Sequence, residues 1–331
     1  MTQTLVDIKG LVKHFPIARG ARFWGEHETV HAVNGVDLAI ERGEFLALVG
    51  ESGSGKTTLA GCIAGFVKPT AGAIRFDGKP MVEVQGSNGS GRVIQHASQR
   101  RMATSIQMVF QDPSSALNPR HRIGDTLTEP LLVHGLMSKA DAKKRVGELL
   151  ELTGIRPSMW GRYPHELNSG QRQRVVIARA LTVNPILLIA DEPVSKLDVS
   201  MQGQILNLLL DLHRQLGLTI LFITHDLSVV RQVADRVIVM YLGRVMEACS
   251  ADAFFSSPRH PYSEALVAST PRVRAQLERS MHIKGEIPSP IHPPSGCPFS
   301  TRCPLVIPAC EQAVPPLHEV APNQLVACIR R

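Results

Sequence analysis

Apolar residues along this 331-residue chain fall into short unbroken runs separated by stretches of helical period. The run FLALVG at 45–50 leads straight into Gly-Glu-Ser-Gly-Ser-Gly-Lys-Thr, and residues 57–67 are apolar on most faces. That order predicts a buried strand, a glycine loop and a buried helix. Ahead of it, LVDIKGLVKHF and VHAVNGVDLAI read as strands, closed by a Glu-Arg-Gly-Glu turn. The runs at 186–190 and 218–223 fall far short of the ~18–20 apolar residues that span a bilayer, so they predict buried strands. The first ends in Asp191 and Glu192, the second in His225 and Asp226. Residues 141–152 and 171–181 read as helices, and 201–216 carries an apolar stripe at helical spacing. RVIVMYLGRVME predicts a hairpin around Leu242-Gly243. After about residue 255 the pattern breaks, proline becomes frequent, and 256–331 reads as a separate appendage with little core. GSNGSG at 86–91 is read as a surface loop, because no apolar strand feeds it and no Lys-Thr follows.

Composition narrows the classes. A hydrophobic content of 44% supports a packed core and argues against disorder. A net charge of +7 permits nucleic-acid contact, but the basic residues are scattered and aromatics make up 5%, so a solvated basic surface is the reading and nucleic acid is not expected. The first residues, MTQTLVDIKG, lack a signal-peptide layout, which points to a cytoplasmic chain that meets membranes only through partners. Cys297, Cys303, Cys310 and Cys328 crowd the end, and in a reducing compartment such a cluster points to metal more than to disulfides.

The chemistry concentrates at five places. Gly50, Glu51, Ser52, Gly53, Ser54, Gly55, Lys56 and Thr57 match G-x-x-x-x-G-K-[ST] in a strand–loop–helix setting, with Thr58 behind. Backbone N–H groups of such a loop wrap phosphates, Lys56 reaches the β- and γ-phosphates, and Thr57 ligates Mg²⁺. Asp191 ends a buried strand, where a carboxylate is costly unless metal-linked, and Glu192 beside it is placed to activate water. Gln111 follows another apolar strand and is placed to sense Mg²⁺ and the attacking water; His225 is placed for the γ-phosphate. Asn168, Ser169, Gly170 and Gln171 open a second phosphate-facing helix shortly before the acidic pair. That pairing points to a P-loop ATPase working as a dimer, one chain's helix start completing the other's site.

In this order the motifs resemble those of the ATP-binding-cassette ATPases over residues 4–250. Residues 50–57 are like their Walker A, Gln111 their Q-loop, 167–171 their signature, 186–192 their Walker B, 195–198 their D-loop and His225 their switch histidine. Phe15 stands where that family keeps an aromatic on adenine, though packing at a strand end is its plain alternative. FQDPSSALNPR, RYPHEL, SPRHPYSEAL and GEIPSPIHPPSGCPFSTRCP resemble the oligopeptide/dipeptide/nickel importer subgroup. The resemblance implies an α/β P-loop ABC ATPase: a RecA-like core with an antiparallel β subdomain and a helical subdomain at about 112–181, together spanning 1–255. A small Cys/Pro-rich extension would occupy 256–331. It implies ATP with Mg²⁺, two membrane permease subunits, an extracytoplasmic solute-binding protein, and a peripheral place on the cytoplasmic face of the inner membrane. The expected activity is ATP hydrolysis powering peptide import. A soluble ABC ATPase of a metabolic complex, as in phosphonate utilisation, is the alternative.

Two departures from the resemblance involve three positions. Asn168-Ser169 stands for the usual Ser-Gly of the signature; Asn168 keeps a helix cap, while Ser169 adds a side chain where close approach favours glycine. Lys196 replaces the usual D-loop alanine. The altered signature points to a weakened site and hence to a paralogous partner ATPase, while Lys196, at the dimer seam, puts a cation near the partner's nucleotide. The cysteine spacing C-x5-C-x6-C-x17-C lacks the tight knuckle of structural zinc, and some relatives carry a [4Fe–4S] cluster here. Iron–sulfur is favoured over zinc and over no metal.

Overall fold

The computed structural model describes residues 3–17, 28–85, 92–95, 99–270 and 285–331. Two compact units form: Met1–Ala97 with Thr224–Arg331, and Ser98–Ile223.

The chain begins the first unit with strands β1 (Thr4–Ile17) and β2 (Glu28–Glu41), then β3 (Phe45–Val49) and helix α1 (Lys56–Ile63). Strands β4 (Ala71–Phe76), β5 (Lys79–Gln85) and β6 (Arg92–Gln95) join the first two in an antiparallel sheet ordered β2-β1-β4-β5-β6. Val36, Leu38 and Ile40 on β2 are buried at period two, as a sheet with one covered face requires. The strand β6 was not anticipated. Four residues behind a glycine-rich stretch carry too little pattern to register, and GSNGSG itself lies outside the described residues.

The second unit runs through α2 (Gln99–Ser105), β7 (Ile106–Val109), α3 (Pro113–Ala116), α4 (Ile123–Val133), α5 (Lys139–Leu152), α6 (Ser169–Leu181), β8 (Leu187–Asp191), α7 (Val199–Leu216) and β9 (Thr219–Thr224). Strands β7, β8 and β9 are parallel, with β8 in the middle and buried throughout. The stripe expected on α7 is the face it buries, through Ile205, Leu208, Leu209 and Leu212. Asp198 caps its start by accepting from the Met201 N–H, and Gly217 at φ 61° ends it. Helix α5 starts earlier than its apolar period, because Ser138 accepts the Asp141 N–H and sets the first turn.

The chain then returns to the first unit with α8 (Leu227–Val233), β10 (Arg236–Tyr241), β11 (Arg244–Ser250), α9 (Ala251–Ser256), α10 (Pro261–Ser269), α11 (Pro308–Gln312), β12 (His318–Ala321) and β13 (Gln324–Val326). Leu242 and Gly243, at φ 44° and 76°, make the tight turn between β10 and β11. The strands run in the order β12-β13-β11-β10-β3, with β10 parallel to β3.

The segment after residue 255 therefore differs from its expectation of little core. It adds β13 to β11, and Tyr262, Val267, Cys297, Phe299 and Cys310 share a buried cluster with Val49, Tyr241 and Met246. The rings of Tyr241, Tyr262 and Phe299 meet at 4.8–5.5 Å between centroids. Glu247, fully buried on β11, fastens this segment by accepting the N–H groups of Arg259 and His260 and the Gln324 amide. Glu247→Ala strips three donors of this acceptor, two of them on the buried residues His260 and Gln324. It is expected to cost about 3 kcal/mol in urea unfolding, and an unchanged midpoint would show that those donors find other partners.

Candidate functional site

In the first unit, β3 delivers the chain into the loop with a fully buried apolar run, so the loop starts from a fixed point. Gly50 (φ 150°) and Gly55 (φ 101°) have no room for a Cβ. At Gly50 it would strike the Met240 carbonyl oxygen, and at Gly55 the Ala32 carbonyl oxygen. Gly55 also caps α1 in the left-handed conformation. Lys56 is buried and turned back on the loop, donating to the Gly50 carbonyl at 2.7 Å, the Glu51 carbonyl at 2.9 Å and the Ser54 hydroxyl at 3.3 Å. Ser52, Gly53 and Thr57 are exposed, and Thr58 is half-buried. Phe15 is exposed on β1, with the Lys13 ammonium 4.5 Å from its ring centroid. His225 is exposed between β9 and α8.

In the second unit, Asp191 is buried at the end of β8. Glu192 follows at φ 47°, a conformation side chains rarely adopt, with its N–H on the Ile223 carbonyl. The Gln111 amide donates to a Glu192 carboxylate oxygen at 2.8 Å, so the structure brings these two predicted residues together. Beside them Lys196 pairs with Asp112 at 3.4 Å. The Ser114 N–H, and after it Lys196, hold the Asp112 carboxyl below its usual range. The sequence reading placed Lys196 toward a partner's nucleotide and had no sign of this pair.

Asn168 caps α6, its side chain accepting the Gln171 N–H while the Gln171 side chain accepts the Asn168 N–H. Ser169 is half-buried in the first turn. At the next residue, Gly170, a Cβ would meet the end of the Met201 side chain.

Cys297, Cys303, Cys310 and Cys328 all line one small cavity with His260 and Phe299. Burial raises the Cys303 thiol and pushes Cys297 up to about 11, with the neighbouring cysteines adding to both. Among the described residues, no three His, Cys, Asp or Glu side chains converge as a single metal ion requires. The expected cluster is thus without direct support from ligand geometry.

Glu51 is also gripped by residues of two C-terminal motifs to which the sequence assigned no role. The Arg302 guanidinium donates to its two carboxylate oxygens at 2.7 and 3.2 Å, and the Tyr262 hydroxyl accepts its N–H at 2.9 Å.

Residues 33–195 match the family model described as ABC transporter, and 246–310 match the oligopeptide/dipeptide transporter C-terminal region. The chain is 45% identical to the oligopeptide transport ATP-binding protein AppF of Bacillus subtilis, over 98% of this chain and 97% of that one. The chain belongs to the ABC transporter ATP-binding subunits of the oligopeptide/dipeptide family. To the Salmonella typhimurium oligopeptide transport ATP-binding protein OppF this ABC subunit is 44% identical, over 99% of its own length and 96% of the other. Its fold is similar to the dimeric post-hydrolysis state of the ATP-binding cassette MJ0796 bound to ADP and Pi (TM-score 0.61, 30% identity, covering 75% of this chain and 99% of that one). The ABC subunit is an ATPase. No helix among its described residues is long and apolar enough to cross a membrane.

Proposed function

We propose that this ATPase powers import of di- or oligopeptides or related solutes, as one half of a nucleotide-sandwich dimer docked on two membrane permeases. The observation that carries the reading is identity of 44–45% over 98–99% of the chain with subunits named for oligopeptide transport. The soluble metabolic alternative has no comparable support.

In this reading the N–H groups of residues 50–58 cradle the ATP phosphates, and Lys56 exchanges the Gly50 and Glu51 carbonyls for phosphate oxygens. Thr57, Gln111 and Asp191, the last through water, serve Mg²⁺. Glu192, oriented by Gln111, takes a proton from the water that attacks the γ-phosphate in line, and His225 touches that phosphate. Phe15 stacks on adenine. Asn168, Ser169, Gly170 and Gln171 face the nucleotide of the opposite ATPase, a paralogue with an unaltered signature. Lys196 ties the D-loop to the Gln111 segment through Asp112. An extracytoplasmic binding protein supplies the solute, and the subunit sits on the cytoplasmic face of the inner membrane.

We read the four cysteines as holding a [4Fe–4S] cluster rather than one ion. They surround a shared cavity, and a cubane holds its thiolates further apart than a single metal does. Bound there, it would cross-link the C-terminal segment.

Purification of the full chain co-expressed with its neighbouring genes is expected to recover two polytopic permeases and a second ATPase, with iron and absorbance near ~400 nm. Soluble enzymes alone would overturn import. Iron-free, colourless protein with its C-terminal segment folded would overturn the cluster.

A further inference from the structure

We infer that Arg302 and Tyr262, both from the C-terminal segment, are positioning residues for nucleotide binding that act through Glu51 of the phosphate loop. The inference rests on residues 50–57 being the phosphate cradle. A loop that receives a polyanion is poorly served by a carboxylate, yet Glu51 is its second residue. Arg302 meets that carboxylate with both ends of its guanidinium fork, at 2.7 and 3.2 Å. The fork neutralises the charge and fixes its direction. The pair is largely out of water, with side-chain exposures of 8% for Arg302 and 24% for Glu51, so losing one partner leaves a poorly compensated charge.

Arg302 is itself held. Its Nη1 also donates to the Tyr241 hydroxyl at 3.2 Å, and its guanidinium lies 5.7 Å from the centroid of that ring. The Tyr262 hydroxyl accepts the Glu51 N–H, and Tyr262 is locked in the buried aromatic cluster with Tyr241 and Phe299. Every polar group of Glu51 is thereby restrained: the carboxylate by Arg302, the N–H by Tyr262 and the carbonyl by Lys56. Arriving phosphate takes Lys56 away. Arg302 and Tyr262 remain to keep the first turn of the loop open and its carboxylate pointed aside.

The test is Mg-ATP titration of the full chain by calorimetry, with steady-state ATPase assays. Arg302→Ala is expected to weaken ATP binding about tenfold. Adding Glu51→Gln to that variant, which removes the exposed charge, is expected to recover most of the loss. Tyr262→Phe removes only the acceptor and is expected to raise KM for ATP about threefold with kcat little changed. If Arg302→Ala does not fold, Arg302→Lys keeps the charge without the fork and should show a smaller loss, again recovered by Glu51→Gln. Wild-type affinity in the Arg302 variants, or a double variant no better than the single, overturns the inference. A parent chain that bound no ATP would overturn the cradle and this inference with it.

Discussion

Glu192→Gln is expected to lower ATP turnover by about 100-fold or more while leaving ATP bound. The glutamine has nearly the same shape and still offers an oxygen to the Gln111 amide, which now donates to Glu192 at 2.8 Å. The backbone bond from residue 192 to the Ile223 carbonyl is untouched, so the unusual φ of 47° and the aim of the side chain survive. What is lost is the proton acceptor for the attacking water. With hydrolysis stopped and the phosphate contacts intact, the dimer should stay closed around ATP. Single-turnover hydrolysis and gel filtration with Mg-ATP measure the two halves of this expectation. Turnover at the parent rate would remove Glu192 from the role of base.

Gly55→Ala is expected to abolish measurable ATP binding, with a loss beyond about 100-fold, and to lower the thermal midpoint. At φ 101° an alanine is strained by about 1–3 kcal/mol before any neighbour is counted. Its Cβ would also strike the Ala32 carbonyl oxygen and lie 3.4 Å from the Gly243 Cα. Both obstacles are backbone, and neither can swing aside. The loop must shift, carrying Lys56 and the start of α1 with it. Gly53→Ala is the control: at φ 78° it bears backbone strain, but its Cβ meets nothing within 4 Å. It should cost about 1 kcal/mol and leave most of the binding. Equal affinity in the Gly55 and Gly53 variants would show that loop shape does not limit binding.

The legible parts of the site were those whose signals are local. A buried run, a glycine loop and a helix start at 45–63 each follow from adjacent residues, as does the cap that Asn168 places on α6. The sequence also separated a strand ending in Asp191 from the helical stripe of α7. Packing partners were not legible. The close packing of Gly170 against Met201 of α7, 31 residues on, left no mark in the sequence. Lys196 reads in the sequence as a cation near the partner's nucleotide, and its pairing with Asp112, far away in the chain, is visible only in the fold.

The C-terminal segment marks the boundary most clearly. Its prolines break every period that a pattern can follow, so its motifs named a relationship and left its core unseen. Tyr262 and Phe299 are isolated aromatics in the sequence, and only folding sets them against Tyr241 as one buried group. The chemistry proposed for the phosphate loop is set by the sequence alone, since the roles given to Gly50, Lys56 and Thr57 need only the backbone and side chains of one short stretch. The tertiary structure decided what holds that loop in shape. Glu51 and Arg302 are 251 residues apart, and an ion pair of that separation has no local signature until β10, β11 and β13 bring the chain back.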